Sequence, residues 1–341
     1  MSAGIALVAV IILLAIGTVA GHVAPLQFVF GVIIPYLAVA TFIVGFIVRV
    51  YQWAKLPVPF KIPTTCGQQK SFDYIKSDEL DNPSGMLGVI GRMALEVFLF
   101  RSLLRNTRTE IQQHEDGPKV VYNSNLWLWG FGLAFHWAFL IVLVRHMRFF
   151  AEPVPFFINW IDYLDSIVQL GVPAIYLTDF ALVGAVTYLF ARRVVIPQVR
   201  YISLPGDYFP LFLLLGIGIT GCLMRYWPGS RVNIEGVKEL GTGLVGLNFS
   251  LPADPIGGMF YVHLLMVCAL AIYFPFSKLM HMGGVFFSPT RNMANDTRRV
   301  RYVGHWEIDA HPHTYAEYED EFRETMVKVG LPVDKPLAEE E

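Results

Sequence analysis

Residues 257–291 read GGMFYVHLLMVCALAIYFPFSKLMHMGGVFFSPTR and contain an apolar run long enough to cross a lipid bilayer. His263 stands near the start of this run and His281 stands at its end. An ionisable side chain inside such a span is energetically expensive, so it marks a functional position. On one continuous helix their eighteen-residue spacing makes five full turns, which would place both rings on one face about 27 Å apart. The segment therefore predicts a nitrogen ligand near each membrane surface.

A second apolar segment, residues 126–150, carries two more histidines, His136 and His146. They are ten residues, or about 15 Å, apart along a helix. A lone histidine is commonly a hydrogen-bonded core residue, but two on each of two membrane helices favour four axial ligands for two haems stacked across the bilayer. The two axial separations do not match, and ten residues also rotate the helix face by about 280°. We expect helix tilt and a kink at Pro275 to absorb part of the difference.

The composition is that of a membrane protein. Of 341 residues, 54% are hydrophobic and 16% are charged, whereas a soluble domain carries about 25% charged residues. The net charge of −2 implies no nucleic-acid surface. Cys66, Cys222 and Cys268 form no C-x-x-C pattern, which excludes a disulfide framework, a covalently attached haem and a cysteine-ligated cluster. Any haem must be held non-covalently by histidine.

These patterns predict an all-α integral membrane protein with six transmembrane helices, whose central four or five helices form a bundle around two haems. The predicted spans are 3–20, 26–50, 126–149, 166–191, 208–226 and 257–282. A signal peptide is the alternative for the first run, but no positively charged region precedes it, so we expect a retained helix.

The spans divide the chain into three parts. Residues 1–25 form an extra N-terminal transmembrane helix, 26–282 form the di-haem domain with a cytoplasmic insertion at 53–124, and 283–341 form a partner-binding tail. Within the insertion, 85–105 has apolar positions at helical spacing, which predicts an amphipathic helix on the membrane surface or against a partner. A re-entrant helix is the alternative.

The distribution of Lys and Arg predicts the orientation. The insertion, the loop 191–207 and the start of the tail carry most of the basic residues, and basic loops favour the cytoplasm. We therefore expect a multi-pass protein of the cytoplasmic membrane with both termini in the cytoplasm. The third and sixth spans then run in opposite directions, which pairs His136 with His281 at an inner haem and His146 with His263 at an outer haem.

Polar residues cluster on the predicted outer side. Candidates for binding quinone oxygens or haem propionates are Arg145, Arg148, Asp162, Asp165 and Gln169. Interfacial polar residues also merely anchor helices, and this alternative stays open. Asp179 lies deeper in the fourth span, where it is either part of a proton relay or a hydrogen-bonded packing residue.

The order of H-x9-H on one helix and H-x17-H ending in FPFSKLMH on a later one resembles the membrane cytochrome b (gamma) subunit of respiratory nitrate reductase. The stretch PYLAVATFIVGFIVR at 35–49 is similar to that family's first helix, and the resemblance covers roughly 28–282. It implies that the four histidines ligate two non-covalent b-type haems. It also implies that quinol is oxidised near the outer haem and that electrons pass inward to an iron–sulfur partner.

Three features resemble a particular branch of that family, the M subunits of the Dsr complexes of dissimilatory sulfur metabolism. They are the extra first helix, the insertion and the tail sequence SPTRNMANDTRRVRYVGHW. This branch implies menaquinone or menaquinol as substrate, a cytoplasmic iron–sulfur subunit with heterodisulfide-reductase-like features, and further membrane and periplasmic subunits. Around 153–170 the chain lacks a counterpart of the lysine that nitrate reductases place near quinol.

Two alternatives remain at this point. The chain could be the cytochrome b subunit of a nitrate reductase or of a membrane-bound heterodisulfide reductase. It could also be a haem-free membrane anchor or a helical transporter.

Overall fold

The structure is a computed structural model and describes residues 2–56, 67–166, 174–295 and 313–336. Its helices, in chain order, are α1 (Ser2–His22), α2 (Ala24–Phe28), α3 (Ile34–Ala54), α4 (Met86–Leu99), α5 (Arg101–Leu104), α6 (Leu126–His146), α7 (Phe156–Asp165), α8 (Leu177–Val195), α9 (Pro197–Tyr201), α10 (Pro205–Tyr226), α11 (Ile234–Val245), α12 (Gly258–Tyr273), α13 (His281–Gly284), α14 (Pro289–Asn292) and α15 (Tyr315–Lys328). Its strands are β1 (Thr107–His114) and β2 (Gly117–Ser124). The described part of the chain is thus mostly helical.

Five helical segments among the described residues are long and apolar enough to cross a membrane: Ser2–His22, Ala24–Ala54, Leu126–Phe149, Pro205–Tyr226 and Gly258–Phe276. They correspond to five of the six expected spans. The remaining one, 166–191, lies partly outside the described residues, and the helix there is α8. Asp179, Arg192 and Arg193 make α8 less apolar than the other five. A sixth span therefore stays a prediction.

The long helices pack into one bundle through close contacts at small residues. The N-terminal helix α1 packs on α10 and α12, α3 packs on α12, and α8 lies against α6 and α10. A Cβ added at Gly17 would lie 2.8 Å from the Val262 Cα, and one at Gly21 would lie 2.7 Å from the Gly258 Cα. Only glycine permits α1 to approach α12 this closely, as is common between membrane helices. The extra helix is thereby fastened to the helix that carries His263.

The expectation of an all-α protein is wrong within the insertion, because β1 and β2 form an antiparallel hairpin there. Its register runs from Thr107 opposite Ser124 to His114 opposite Gly117. The strands are rich in Thr, Ile, Val and Tyr, which favour the extended backbone. Gly117 has φ +107° at the turn, so the Asp-Gly pair at 116–117 was the sequence signal for this hairpin.

The helix expected at 85–105 is present but interrupted, because the chain turns sharply between α4 and α5. Phe100 adopts the left-handed conformation, with φ 50° and ψ 48°. Two indole groups of α6 hold this turn, since Trp137 donates to the Phe98 carbonyl at 3.1 Å and Trp129 to the Leu99 carbonyl at 2.8 Å. The insertion is therefore attached to the helix that carries His136.

The insertion also contacts the segment that follows α14. The Asn295 backbone N–H donates to the Pro83 carbonyl at 2.6 Å, and its side-chain amide donates to Asn82 Oδ1 at 2.7 Å. Gln69 donates to Asn295 Oδ1 at 2.9 Å, and Asn295 is 1% exposed. The insertion and the start of the tail thus form one surface on the same side of the bundle.

The spacing of about 27 Å expected from the sequence requires one continuous helix from His263 to His281. In the structure, the helix that carries His263 does not continue to His281. It ends at Tyr273, and a 3₁₀ turn at Phe274–Phe276 follows. Pro275 supplies no N–H for a helical hydrogen bond, and Ser277 is extended with φ −122° and ψ 177°. The Ser277 hydroxyl then accepts from the Leu279 N–H at 3.2 Å and begins a new 3₁₀ turn. The distance and face calculated for one continuous helix therefore do not apply.

Candidate functional site

The structure brings the four histidines together in two pairs. One is His136 with His281, called the inner pair after its predicted position, whose ring centroids are 6.0 Å apart with an interplanar angle of 80°. The other is His146 with His263, called the outer pair for the same reason, at 6.4 Å and 13°. These are the two pairs that the antiparallel arrangement of α6 and α12 predicts from the sequence.

The spacing of both pairs fits one metal ion between two imidazoles. A metal bound about 2 Å from one nitrogen of each ring separates the ring centroids by roughly 6 Å. Among the described residues, no three His, Cys, Asp or Glu side chains converge on a metal site. A pair of histidines suits a metal whose remaining ligands come from a macrocycle, as they do in haem.

The second nitrogen of each ring is already engaged, which leaves all four Nε2 atoms for a metal. Three Nδ1 atoms lie 2.7 Å from a backbone carbonyl: His136 from Gly132, His146 from Val142 and His281 from Lys278. A carbonyl only accepts, so these Nδ1 atoms carry the proton. Nδ1 of His263 lies 2.9 Å from the Thr220 hydroxyl. Metal-binding histidines almost always have such a partner on the other nitrogen, which fixes tautomer and ring orientation.

Two aromatic rings contact His136 of the inner pair. Phe100 and Phe135 each lie edge-on to the His136 ring, with centroid distances of 4.8 Å. Phe100 belongs to the insertion, so the inner pair lies at the insertion end of the bundle. The two glycines after His281 do not border open space, because a Cβ at Gly283 would lie 3.3 Å from Phe46. They serve helix packing.

Next to the outer pair, Arg145 lies in a buried ion network. Its Nε is 3.0 Å from Asp165 Oδ2, and a terminal guanidinium nitrogen is 2.5 Å from Asp179 Oδ1. The Tyr226 hydroxyl donates to the other Asp179 oxygen at 2.9 Å. The side chains of Arg145 and Asp165 are 5% and 4% exposed. Asp179 is therefore a hydrogen-bonded counter-ion, and the network holds α6, α7, α8 and α10 together.

A second, more accessible ion pair lies beside this network. Arg148 contacts Asp162 at 2.9 Å, and Tyr176 donates to the same Asp162 oxygen at 2.7 Å. The Tyr176 ring lies between two guanidinium groups, with Arg145 at 3.7 Å and Arg225 at 3.8 Å from its centroid. Such contacts stabilise each cation against the ring face. Gln169 lies outside the described residues.

Sequence reasoning missed Tyr176, Arg225 and Tyr226. The available signal was the pair Arg225-Tyr226 at the end of the span 208–226, which is predicted to lie on the same side of the membrane as Arg145. Across the cluster, three arginines face three aspartates, so the charges balance. Arg145 contacts the carboxylates of both Asp165 and Asp179 and balances their negative charge. Arg148 and Asp162, with side chains 29% and 31% exposed, remain open to a ligand.

A comparison with protein families identifies this architecture. The family model described as nitrate reductase gamma subunit matches residues 86–302, more than half of the chain. The chain belongs to this family. The matched region contains all four histidines but leaves out α1 to α3, including the 35–49 stretch.

Two archaeal relatives match most of the chain. One, from Archaeoglobus fulgidus, is 46% identical over 285 residues, which cover 82% of this chain and 83% of the relative. The other, from Archaeoglobus profundus, is 39% identical over 282 residues, which cover 80% and 81%. Both are named Hdr-like menaquinol oxidoreductase cytochrome b-like subunit. Neither name specifies dissimilatory sulfur metabolism.

Proposed function

We propose that this chain is a di-haem b membrane subunit that exchanges electrons between the menaquinone/menaquinol pool and a cytoplasmic iron–sulfur subunit of the heterodisulfide-reductase type. One observation carries the proposal: two histidine pairs lie at the spacing of a shared metal, with every Nδ1 engaged and every Nε2 left over. Membership of the nitrate reductase gamma subunit family and the printed names of the two relatives support it.

Four histidines of this chain would bind two redox centres. His136 and His281 would hold the inner haem, and His146 and His263 the outer haem. Held by two imidazoles each, the haems would supply one-electron transfer and offer no site for binding oxygen. Three backbone carbonyls and Thr220 fix the proton on Nδ1, so each ring would have its unprotonated Nε2 free to hold a haem.

The orientation follows from the basic loops. We place the insertion, the tail and both termini in the cytoplasm, with α8 as the sixth span and residues 26–282 as the di-haem domain. The contact between Phe100 and His136 supports an inner haem beside the insertion. Electrons would therefore be exchanged with a soluble partner at the surface shared by the insertion and the start of the tail.

Menaquinol would approach the outer haem. The group formed by Arg148, Asp162 and Tyr176 is the best candidate for hydrogen-bonding its oxygens, because Arg148 and Asp162 are half-buried beside the buried Tyr176 and lie next to the outer pair. Arg145 and Asp165 would support this group from inside the bundle. Quinol oxidation there would release protons on the outer side.

The tail ends in a preformed helical segment suited to a partner. The Thr314 hydroxyl and the Glu317 carboxylate cap the start of α15 reciprocally. Glu319 accepts from the backbone N–H groups of Asp334 and Lys335 at 2.8 and 2.9 Å, and these bonds lower the pKa of its carboxyl. Tyr315, Tyr318 and Phe322 are exposed at spacings of three and four residues, as expected of an interface.

From 314 to 336 the segment carries six carboxylates against three basic side chains. We infer that the partner, a heterodisulfide-reductase-like iron–sulfur subunit, meets this segment with a basic, apolar groove. By the resemblance to the Dsr M subunits, this subunit and further membrane and periplasmic subunits would form one complex of dissimilatory sulfur metabolism.

A second candidate is the cytochrome b subunit of a nitrate reductase, which the description of the matching family favours. Both candidates would use the same two haems and differ in the soluble partner. Mass spectrometry of the subunits that co-purify from native membranes therefore separates them. Recovery of a nitrate-reducing subunit in place of an iron–sulfur subunit would replace our proposal with this one.

The proposed activity has its own test. We expect a soluble menaquinol analogue to reduce both haems in the purified complex and then the clusters of the iron–sulfur subunit. The wild-type complex with the partner removed serves as the control, in which only the haems become reduced. Absence of any b-type absorbance in the purified protein would leave a membrane anchor or a transporter as its function.

A further inference from the structure

Thr220 of α10 is the only side chain among the four groups that engage the Nδ1 atoms of the paired histidines. Its hydroxyl lies 2.9 Å from His263 Nδ1, and the residue is 5% exposed. The other three histidines use backbone carbonyls, which no substitution removes. A substitution at position 220 can therefore remove the Nδ1 partner of a histidine in the outer pair. No substitution can remove the backbone partners of the inner pair.

The hydrogen bonds around Thr220 determine where each proton lies. The Thr220 hydroxyl is 2.8 Å from the Gly216 carbonyl and 3.1 Å from the Ile217 carbonyl. Carbonyl oxygens only accept, so the single hydroxyl proton points to these carbonyls. The hydroxyl lone pair that remains must accept from His263. His263 therefore carries its proton on Nδ1, and Nε2 has a free lone pair.

Glycines on α10 place Thr220 within reach of His263. A Cβ at Gly216 would lie 2.8 Å from the Met266 sulfur, so α10 and α12 are in close contact one turn before Thr220. A Cβ at Gly221 would lie 3.4 Å from His263 Cε1. The histidine ring thus rests against α10 at Gly221 and is hydrogen-bonded by the preceding residue. Its rotation about the Cβ–Cγ bond is fixed from both sides.

We propose that Thr220 is a positioning residue that fixes the tautomer and orientation of His263 and lowers the reduction potential of the outer haem selectively. This inference rests on the proposed di-haem function. An acceptor on Nδ1–H increases the electron density at Nε2, which stabilises ferric iron over ferrous iron. Partners of this kind typically change metal affinity by about 10- to 100-fold when they are removed.

The test compares two substitutions at this position in the purified, haem-loaded complex. Thr220→Val removes the hydroxyl and keeps the branched shape, whereas Thr220→Ser keeps the hydroxyl. Thr187→Val is the matched control, because Thr187 makes the same bond to a carbonyl one turn back, at 2.7 Å, on the exposed side of α8. Reduction potentials of the two haems come from an optical redox titration, and haem occupancy from the haem-to-protein ratio.

In Thr220→Val we expect the potential of the outer haem to rise, or its affinity to fall about 10- to 100-fold, with the inner haem unchanged. Thr220→Ser and Thr187→Val should resemble the wild type. Unchanged potentials and occupancy in Thr220→Val would overturn the proposal. An equal effect in Thr220→Ser would overturn it too, because it would show that the methyl group and packing matter instead of the hydroxyl. A wild-type protein without haem would instead refute the proposed function itself.

Discussion

Replacement of Arg145 by glutamine tests the buried network beside the outer pair. The substitution would remove the positive charge from Asp165 and Asp179, which lie 3.0 and 2.5 Å from the guanidinium. Their side chains are 4% and 14% exposed, so water would not replace the lost partner well. Removal of one member of a buried ion pair typically costs about 3–5 kcal/mol. We therefore expect Arg145→Gln to lower the free energy of unfolding by about that amount.

Arg148→Gln is the matched control. Arg148 lies three residues further along and also contacts an aspartate, but the side chains of Arg148 and Asp162 are 29% and 31% exposed. Accessible ion pairs of this kind contribute about 0–1 kcal/mol. The difference between the two variants should therefore be several kcal/mol, or roughly two to three orders of magnitude in the unfolding equilibrium. In Arg145→Gln the outer haem should also be lost more readily than the inner haem.

The assay is reversible unfolding in mixed detergent micelles, followed by tryptophan fluorescence and haem absorbance. A triple variant, Arg145→Gln with Asp165→Asn and Asp179→Asn, removes the unpaired charges and should recover part of the loss, since the network becomes neutral and hydrogen-bonded. Equal destabilisation by Arg145→Gln and Arg148→Gln would refute the reasoning. So would a triple variant that is less stable than Arg145→Gln alone.

Three further predictions concern the insertion, the tail and the membrane orientation. Phe100→Gly should be about 1 kcal/mol more stable than Phe100→Ala, because only glycine adopts the left-handed backbone without cost. Both variants should alter the spectrum of the inner haem. Equal stabilities would contradict the role of the turn at Phe100. Deletion of 313–341, which spares Asn295, should release the iron–sulfur partner and leave both haem spectra normal. Alanine at Tyr315, Tyr318 and Phe322 should do the same. A partner that stays bound and still receives electrons would show that the tail is not the docking site. Cysteines introduced at 67–120 and 313–336 should react with a membrane-impermeant thiol reagent only from the cytoplasmic side, and those at 228–256 only from the outside. Labelling of 228–256 from the cytoplasm would invert the proposed topology.

Which histidines pair with each other could be predicted from the sequence, because the pairing depends on few features. Residue spacing and the alternation of span directions suffice to decide which histidines meet. The helix break before His281 was harder to foresee. Pro275 indicated a kink, but the sequence does not show that Pro275 packs against α3, where a Cβ at Gly45 would lie 2.7 Å from its side chain. Such contacts between distant segments leave no periodic signal in the sequence.

The polar network shows a second limit of sequence reasoning. Arg145, Asp165 and Asp179 were recognisable as costly charges near the membrane, but their partners are on other helices and up to 47 residues away in the chain. The pairing of Tyr226 with Asp179 depends on how α10 rotates against α8. The hairpin in the insertion is different, because its Asp-Gly turn between β-branched segments is a local signal. The apolar spacing that indicates helices does not reveal such a hairpin.

Haem content of four single alanine variants tests the central claim most directly. The wild-type protein should contain two b-type haems per chain with distinct reduction potentials. His136→Ala and His281→Ala should each lose the inner haem and keep the outer one, because the rings of that pair lie 6.0 Å apart. His146→Ala and His263→Ala should each lose the outer haem and keep the inner one. Loss of the same haem from His136→Ala and His146→Ala, or a wild-type spectrum without b-type absorbance, would contradict the account.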